Sequence, residues 1–98
     1  MLEFEWDPDK ARKNLTKHGV AFSDASTIFR DPLGVTIYDP NHSDEEDRYI
    51  TIGRSNAGRI LMVVHTERGD RIRIISAREL TRAEREAYED EIKRRMAR

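Results

Sequence analysis

His65 and Glu67 stand two apart in the stretch Val63-Val64-His65-Thr66-Glu67. Side chains alternate along an extended strand, so the two project from one face. Histidine titrates near neutrality and a carboxylate can accept a proton, so either can serve as a general base. The alternative is a histidine at the sheet's rim and a glutamate ion-paired at a hairpin end. His18, in Lys17-His18-Gly19, is a third candidate for proton transfer; at a helix C-terminus it equally serves as a cap, because that end favours cations. Arg54, Arg73 and Arg78 are candidate phosphate ligands, since a guanidinium fork matches an anion's paired oxygens. The same forks can instead pair with carboxylates of the chain, such as Glu79 and Glu84. His42 lies near Asp39, Asp44 and Asp47. With three histidines and no cysteine in the chain, that loop reads as solvated rather than metal-binding. No metal and no cofactor is expected.

These residues need elements to hold them. Asp7 is a good N-cap and Pro8 suits a first helical turn, so a helix is expected to start there and end at His18, with Gly19 as its left-handed cap. Ala11 and Leu15 would share its buried face. A short second helix is expected from Ser23, with Ala25, Ile28 and Phe29 inward and Asp31-Pro32 as its stop. Strands follow at about 34–38, 48–54, 59–67 and 70–78. They are joined by an acidic loop, by the turn Ser55 to Gly58 and by a hairpin at Arg68-Gly69. Short turns force antiparallel pairing. Thr81 and Glu84 have capping-box spacing for a last helix, whose narrow apolar stripe is Ala83, Ala87, Tyr88, Ile92 and Met96. Phe4 and Trp6, ahead of the first helix, read as a hydrophobic anchor.

The hairpins give a register. A two-residue turn at Arg68-Gly69 pairs Glu67 with Asp70 and sets His65 opposite Ile72. A turn closed between Arg54 and Arg59 sets those two arginines opposite each other. One face then collects Ile50, Ile52, Leu61, Val63, Ile72 and Ile74, the better core. Arg54, Arg59 and Arg78 lie side by side at one end of it, and Arg48, His65 and Glu67 at the other. The second face collects Tyr49, Thr51, Met62, Val64, Thr66, Arg71, Arg73 and Ile75. Arg54 with Arg78 is the more coherent phosphate pair; Arg71 and Arg73 with Tyr49 and Thr66 form the alternative. A slip of one residue exchanges the faces.

Size and charge frame the rest. The 98 residues fit one domain, residues 1–98, of 37% hydrophobic and 38% charged residues. So thin a core favours a partner. The net charge of −1 hides an uneven spread: Asp39 to Asp47 holds five acids and no lysine or arginine, and from Arg71 onward bases outnumber acids. Such separation permits an anionic ligand on one side and a basic partner on the other. The start Met1-Leu2-Glu3-Phe4-Glu5-Trp6 has acids where a signal peptide needs bases and an apolar run, and no apolar stretch approaches the roughly 20 residues that span a bilayer. A cytoplasmic protein without a membrane partner is expected.

The block Gly58 to Arg78 resembles the most recognisable segment of the BrnT family, ribonuclease toxins of type II toxin–antitoxin systems. Phe4-Glu5-Trp6-Asp7 leading into Asn14-Leu15-Thr16-Lys17-His18-Gly19-Val20-Ala21-Phe22 is similar too, as are Ile52-Gly53-Arg54-Ser55 and the tail Arg82 to Tyr88. The resemblance spans nearly the whole chain, in order. It implies a RelE-like α+β fold of two N-terminal helices, a four-stranded antiparallel sheet and a C-terminal helix. It implies metal-independent endoribonuclease activity that inhibits translation. It also implies neutralisation by a ribbon-helix-helix (BrnA-like) antitoxin, through which the complex binds operator DNA. Cleavage without a metal uses the RNA's 2′-hydroxyl as nucleophile. It needs a base, an acid for the leaving oxygen and cations on the phosphate. His65, Glu67 and His18 are the proton-transfer candidates and Arg54, Arg78 and Arg73 the phosphate ligands. His18 gains weight because Lys17-His18-Gly19 is a family hallmark. The alternative is a non-catalytic, toxin-like binding module that acts only with its antitoxin in DNA-binding autoregulation.

Overall fold

Asp7 starts the first helix as the sequence requires: its carboxylate accepts the Asp9 N–H at 2.8 Å. The helix, α1, runs Pro8–His18 and ends at Gly19, whose φ of 68° is left-handed and whose N–H donates to the Leu15 carbonyl. The computed structural model describes residues 2–42 and 45–97. After α1 comes a one-turn helix, α2 (Phe22–Ala25), continued by a 3₁₀ turn at Ser26–Arg30. It opens at Ala21 rather than at Ser23. Strands β2 (Val35–Tyr38), β3 (Arg48–Arg54), β4 (Ile60–Arg68) and β5 (Arg71–Glu79) form the expected antiparallel meander. Helix α3 (Arg82–Met96) closes the order, with the Thr81/Glu84 capping box made in both directions.

A further strand, β1 (Glu3–Glu5), joins parallel to β5 and makes the sheet five-stranded and mixed, in the order β1-β5-β4-β3-β2. Three residues are too few for an alternation signal, which is why the sequence reads as four strands. Phe4 and Trp6 anchor as expected, on Phe29 and Phe22 respectively.

The core lies between one sheet face and α1, α2 and the 3₁₀ turn. Val20, Phe22, Ala25 and Ile28 pack there on Leu61, Val63, Ile74 and Ala77, all buried. Each large apolar side chain so buried contributes roughly 1.5–3 kcal/mol. Gly53 lets the 3₁₀ turn approach: a Cβ there would sit 3.1 Å from the Ile28 carbonyl oxygen. On α1 the buried residue is Asn14, not Leu15, which is 51% exposed. Helix α3 buries no residue and lies across one end of the sheet. It is held by Arg78–Glu84 and by bonds from the Tyr88 hydroxyl and Arg95 to the Leu33 carbonyl.

The register differs at both hairpins and at a bulge, and the first hairpin and the bulge exchange faces. Arg54 opposes Ile60, because the β3–β4 turn spans Ser55 to Arg59. This one-residue slip turns Ile50, Ile52, Arg48 and Arg54 outward and brings Tyr49 and Thr51 to the core side. The second hairpin closes over Gly69-Asp70, with Arg68 opposite Arg71. That is a two-residue change, so Ile72 and Ile74 keep the core face. A bulge between Val64/His65 and their partners then moves Arg78 to the open face, opposite Met62. Arg54, Arg71, Arg73 and Arg78 therefore share one face, where the sequence reading set them in two opposed clusters. Arg59 leaves the cluster and binds the Gly19 carbonyl and Glu79.

His65 is part of the core, 5% exposed, with its ring edge-on to Phe29 and stacked on Tyr49. Its Nε2 lies 2.7 Å from the Thr51 hydroxyl, which lies 2.7 Å from that of Thr36. Its Nδ1 is buried without a partner among the described residues. Burial pushes its pKa down from 6.5 to about 4. Below pH 6.5 the unfolded chain takes up a proton that the folded chain refuses. Stability is thus full above pH 6.5 and falls as the pH drops through 4, by on the order of 3 kcal/mol. Urea unfolding between pH 7 and pH 4 is expected to show this loss, and His65→Leu to flatten it. An equal pH slope in that variant would assign the loss to other groups.

Candidate functional site

The sheet face opposite the core carries Arg73, Ser76 and Arg78 along β5, opposite Thr66, Val64 and Met62. Both arginines are already engaged. Arg73 pairs with Glu5 at 2.6 Å. Arg78 grips Glu84 with both terminal nitrogens, at 2.7 and 3.0 Å. That grip, with the Thr81 N–H, holds the Glu84 carboxyl at about 2 and raises Arg78. The internal ion-pair reading of these arginines is thus realised, and a phosphate would have to compete with carboxylates for them. Arg54 lies on the same face but two strands from Arg78, about 10 Å by ordinary strand spacing. It donates to the Gly58 carbonyl and lines a hollow under α3. Arg54 and Arg78 rest on separate partners, the Gly58 carbonyl and Glu84.

Cationic charge without such neutralisation gathers at the β5 edge. Helix α1 lies along β5 beyond the end of β1. A cleft between them is lined by Lys10, Lys13, Asn14, Lys17, His18, Ile75 and Ser76. No carboxylate pairs with Lys10, Lys13 or Lys17 among the described residues. The helix brings these groups together because residues three and four apart share a face. Asn14 fixes the helix to the strand. Its Nδ2 donates to the Ala77 and Val20 carbonyls, each at 2.9 Å, and its Oδ1 accepts the Ala77 N–H at 3.1 Å. The side-chain amide thus serves β5 as a neighbouring strand would. Ser76, beside Ala77, lines the cleft from the open face of β5. Arg73 and Arg78 flank it on the same strand, roughly 10 and 7 Å away along the backbone.

His18 is half-buried in this cleft, at the junction of helix end and strand edge. His65 and Glu67 do share a face, as the alternation requires, but not surroundings. His65 is enclosed by Phe29 and Tyr49. Glu67 is exposed, beside Glu46 and Asp47. Glu46 is itself held by Arg68 at 3.1 Å, which leaves Asp47 and Glu67 as the carboxylates of this hollow without an arginine pair among the described residues. Among the proton-transfer candidates, His18 is the one that shares its cleft with lysines and no lining carboxylate. The side chain of His42 lies outside the described residues, as does Asp44. Sequence reading missed Lys10, Lys13, Asn14 and Ser76. The helical spacing of residues 10, 13, 14, 17 and 18 was the available signal.

The sequence matches, over residues 6–84, the family described as the ribonuclease toxin BrnT of type II toxin–antitoxin systems. The fold is similar to the crystal structure of the Brucella abortus ribonuclease toxin BrnT. The TM-score is 0.62 at 25% identity, covering 84% of this chain and 100% of that one. None of the curated proteins matches significantly.

Proposed function

This chain belongs to the BrnT family of ribonuclease toxins of type II toxin–antitoxin systems, and from that premise we propose that it cleaves RNA without a metal at the α1–β5 cleft. As such a toxin it has RNA as substrate and a cognate antitoxin as partner. No helix among the described residues is long and apolar enough to cross a membrane.

The observation that carries the site is His18, half-buried, in a cleft with Lys10, Lys13 and Lys17, which no carboxylate pairs with among the described residues. In this mechanism the RNA backbone crosses the cleft with its scissile phosphate over Ser76. Lys10, Lys13 and Lys17 attract it and bear the charge that builds on the phosphoryl oxygens. His18 takes the 2′-hydroxyl proton. The freed oxygen attacks the adjacent phosphorus, forming a 2′,3′-cyclic phosphate and expelling the 5′-oxygen. Lysine ammonium or His18 protonated in the first step supplies the leaving oxygen's proton. Arg73 and Arg78 hold flanking phosphates once RNA displaces Glu5 and Glu84. His65 orders the core through Thr51 and serves stability.

Expressed alone in the cytoplasm, the toxin halts translation. A ribbon-helix-helix antitoxin neutralises it, and the joint complex binds operator DNA through that antitoxin. Purified protein is expected to cut RNA at the same rate with and without excess EDTA, leaving cyclic-phosphate ends. Loss of cleavage on chelation would replace the metal-free mechanism. Harmless expression with no cleavage would leave the antitoxin-dependent binding module as the function.

A further inference from the structure

The two edges of the sheet are finished differently. At one edge β1 covers the start of β5, and the Asn14 amide satisfies the backbone of Ala77. At the other edge lies β2, and no described strand pairs with its outer side. Exposed edges are usually guarded by lysine, proline, a bulge or extreme shortness. β2 reads Val35-Thr36-Ile37-Tyr38, without charge or proline, and its register with β3 is unbroken. Ile37 is 52% and Tyr38 49% exposed.

The backbone of β2 presents a defined template. The Asp39 N–H donates to the Arg48 carbonyl at 2.9 Å, in register with Ile37–Ile50 and Val35–Ile52. Hydrogen-bonded and open pairs alternate in an antiparallel ladder. Val35 and Ile37 therefore bond toward β3, while Thr36 and Tyr38 point their N–H and C=O groups outward. Immediately after the strand comes the Asp39–Asp47 segment, with five acids and no lysine or arginine. Glu45 is exposed, and Asp47 turns its carboxylate to the Tyr38 hydroxyl at 3.0 Å.

We propose that the β2 edge takes an extended, basic segment of the cognate antitoxin as a sixth strand. Main-chain bonds to Thr36 and Tyr38 supply affinity, an apolar side chain covers Ile37, and lysines or arginines of the segment face the acidic loop. The charge selects this occupant: Arg68 already holds Glu46, but exposed Glu45 and Asp47 still attract a basic polypeptide and repel both RNA and a second acidic loop. The edge lies across the sheet from the cleft. Binding there leaves the lysines uncovered unless the rest of the antitoxin reaches over the open face. The proposal rests on membership in a toxin–antitoxin family and is independent of the cleavage assignment.

The test is amide hydrogen exchange of the full chain, alone and with the antitoxin encoded beside it, joined to titration of two variants. Thr36 and Tyr38 amides are expected to exchange freely in the toxin and to be protected in the complex. Ile37→Lys, at an exposed site, is expected to weaken antitoxin binding more than tenfold. Glu45→Lys is expected to weaken it several-fold and to lessen its salt dependence. RNA cleavage is expected to stay unchanged in both. Unprotected Thr36 and Tyr38 amides in the complex, with wild-type affinity in both variants, would overturn the proposal. Protection already present in concentrated toxin alone would also overturn it, because the edge would then hold a second copy. Protection in the complex of a toxin that cuts no RNA would uphold this edge and remove only the cleavage mechanism.

Discussion

Replacing His18 with alanine is expected to slow RNA cleavage by about 10²–10⁴-fold, the usual contribution of a positioned acid or base. The fold should survive. The helix still ends at Gly19, whose N–H bonds the Leu15 carbonyl without help from the ring. If His18 acted only as a cation near the helix C-terminus, its removal would cost some 0.3–1 kcal/mol of stability and leave the rate intact. His18→Lys separates the roles: it keeps a cation in the cleft but supplies no neutral base near pH 7. The proton-transfer account predicts that lysine fails to restore the rate, whereas a purely electrostatic role predicts rescue. Single-turnover cleavage of an RNA substrate, with far-ultraviolet circular dichroism as the check on folding, distinguishes the two. His65→Ala is a poor test of chemistry, because it opens a cavity beneath Phe29 and Tyr49.

Asn14→Leu is expected to cost several kcal/mol, on the order of 3–5. The side chain makes three buried hydrogen bonds, to Val20 O, Ala77 O and Ala77 N–H. Leucine has about the right size, but it strands those three backbone groups, and each unsatisfied buried group costs about 1–3 kcal/mol. A domain of this length has a total stability of roughly 5–15 kcal/mol. The substitution therefore removes a large part of it and loosens α1 from β5. Asn14→Asp is no rescue, since a carboxylate would face two carbonyl oxygens. Leu15→Ala, one residue away and exposed, is expected to change stability by less than about 0.5 kcal/mol. Urea midpoints of the three variants test this ranking. An Asn14→Leu loss below about 1 kcal/mol would mean that the amide is not the clasp between helix and strand.

Local chemistry carried most of the fold into the sequence. The Asp7 cap, the Gly19 stop and the Thr81–Glu84 box are hydrogen bonds between residues at most four apart, and each is where its residue types require. The α+β architecture with its antiparallel meander was legible for the same reason. The faces of the sheet were not, because they depend on the length of a turn and on one bulge. A single extra residue in the Ser55–Arg59 turn moved Ile50, Ile52 and Arg54, and the bulge on β5 moved Arg78. Asn14 shows a further limit. A polar residue on the inner face of a short helix reads as a flaw in the apolar stripe until its partner, 63 positions away, is seen.

The site was half legible. Arginine spacing did expose a phosphate-friendly strand, β5, but could not reveal that Glu5 and Glu84 already neutralise Arg73 and Arg78. Glu5 reaches Arg73 through a three-residue parallel strand, a contact of long sequence separation. What carries weight instead is the helix face with lysines and His18, which no strand pattern marks. His65, the more eye-catching histidine, sits among aromatic rings because the alternation that set it beside Glu67 also turned it into the core.

The central claim is that RNA lies along the α1–β5 cleft. The most direct measurement is backbone amide chemical-shift mapping with an RNA whose 2′-hydroxyls are methylated, so that it binds without being cut. The account predicts perturbations concentrated at residues 10–18 and 73–78, decreasing as salt rises. Perturbations centred instead on Glu67 and the 46–49 segment, or on β2, with residues 10–18 unmoved, would contradict it.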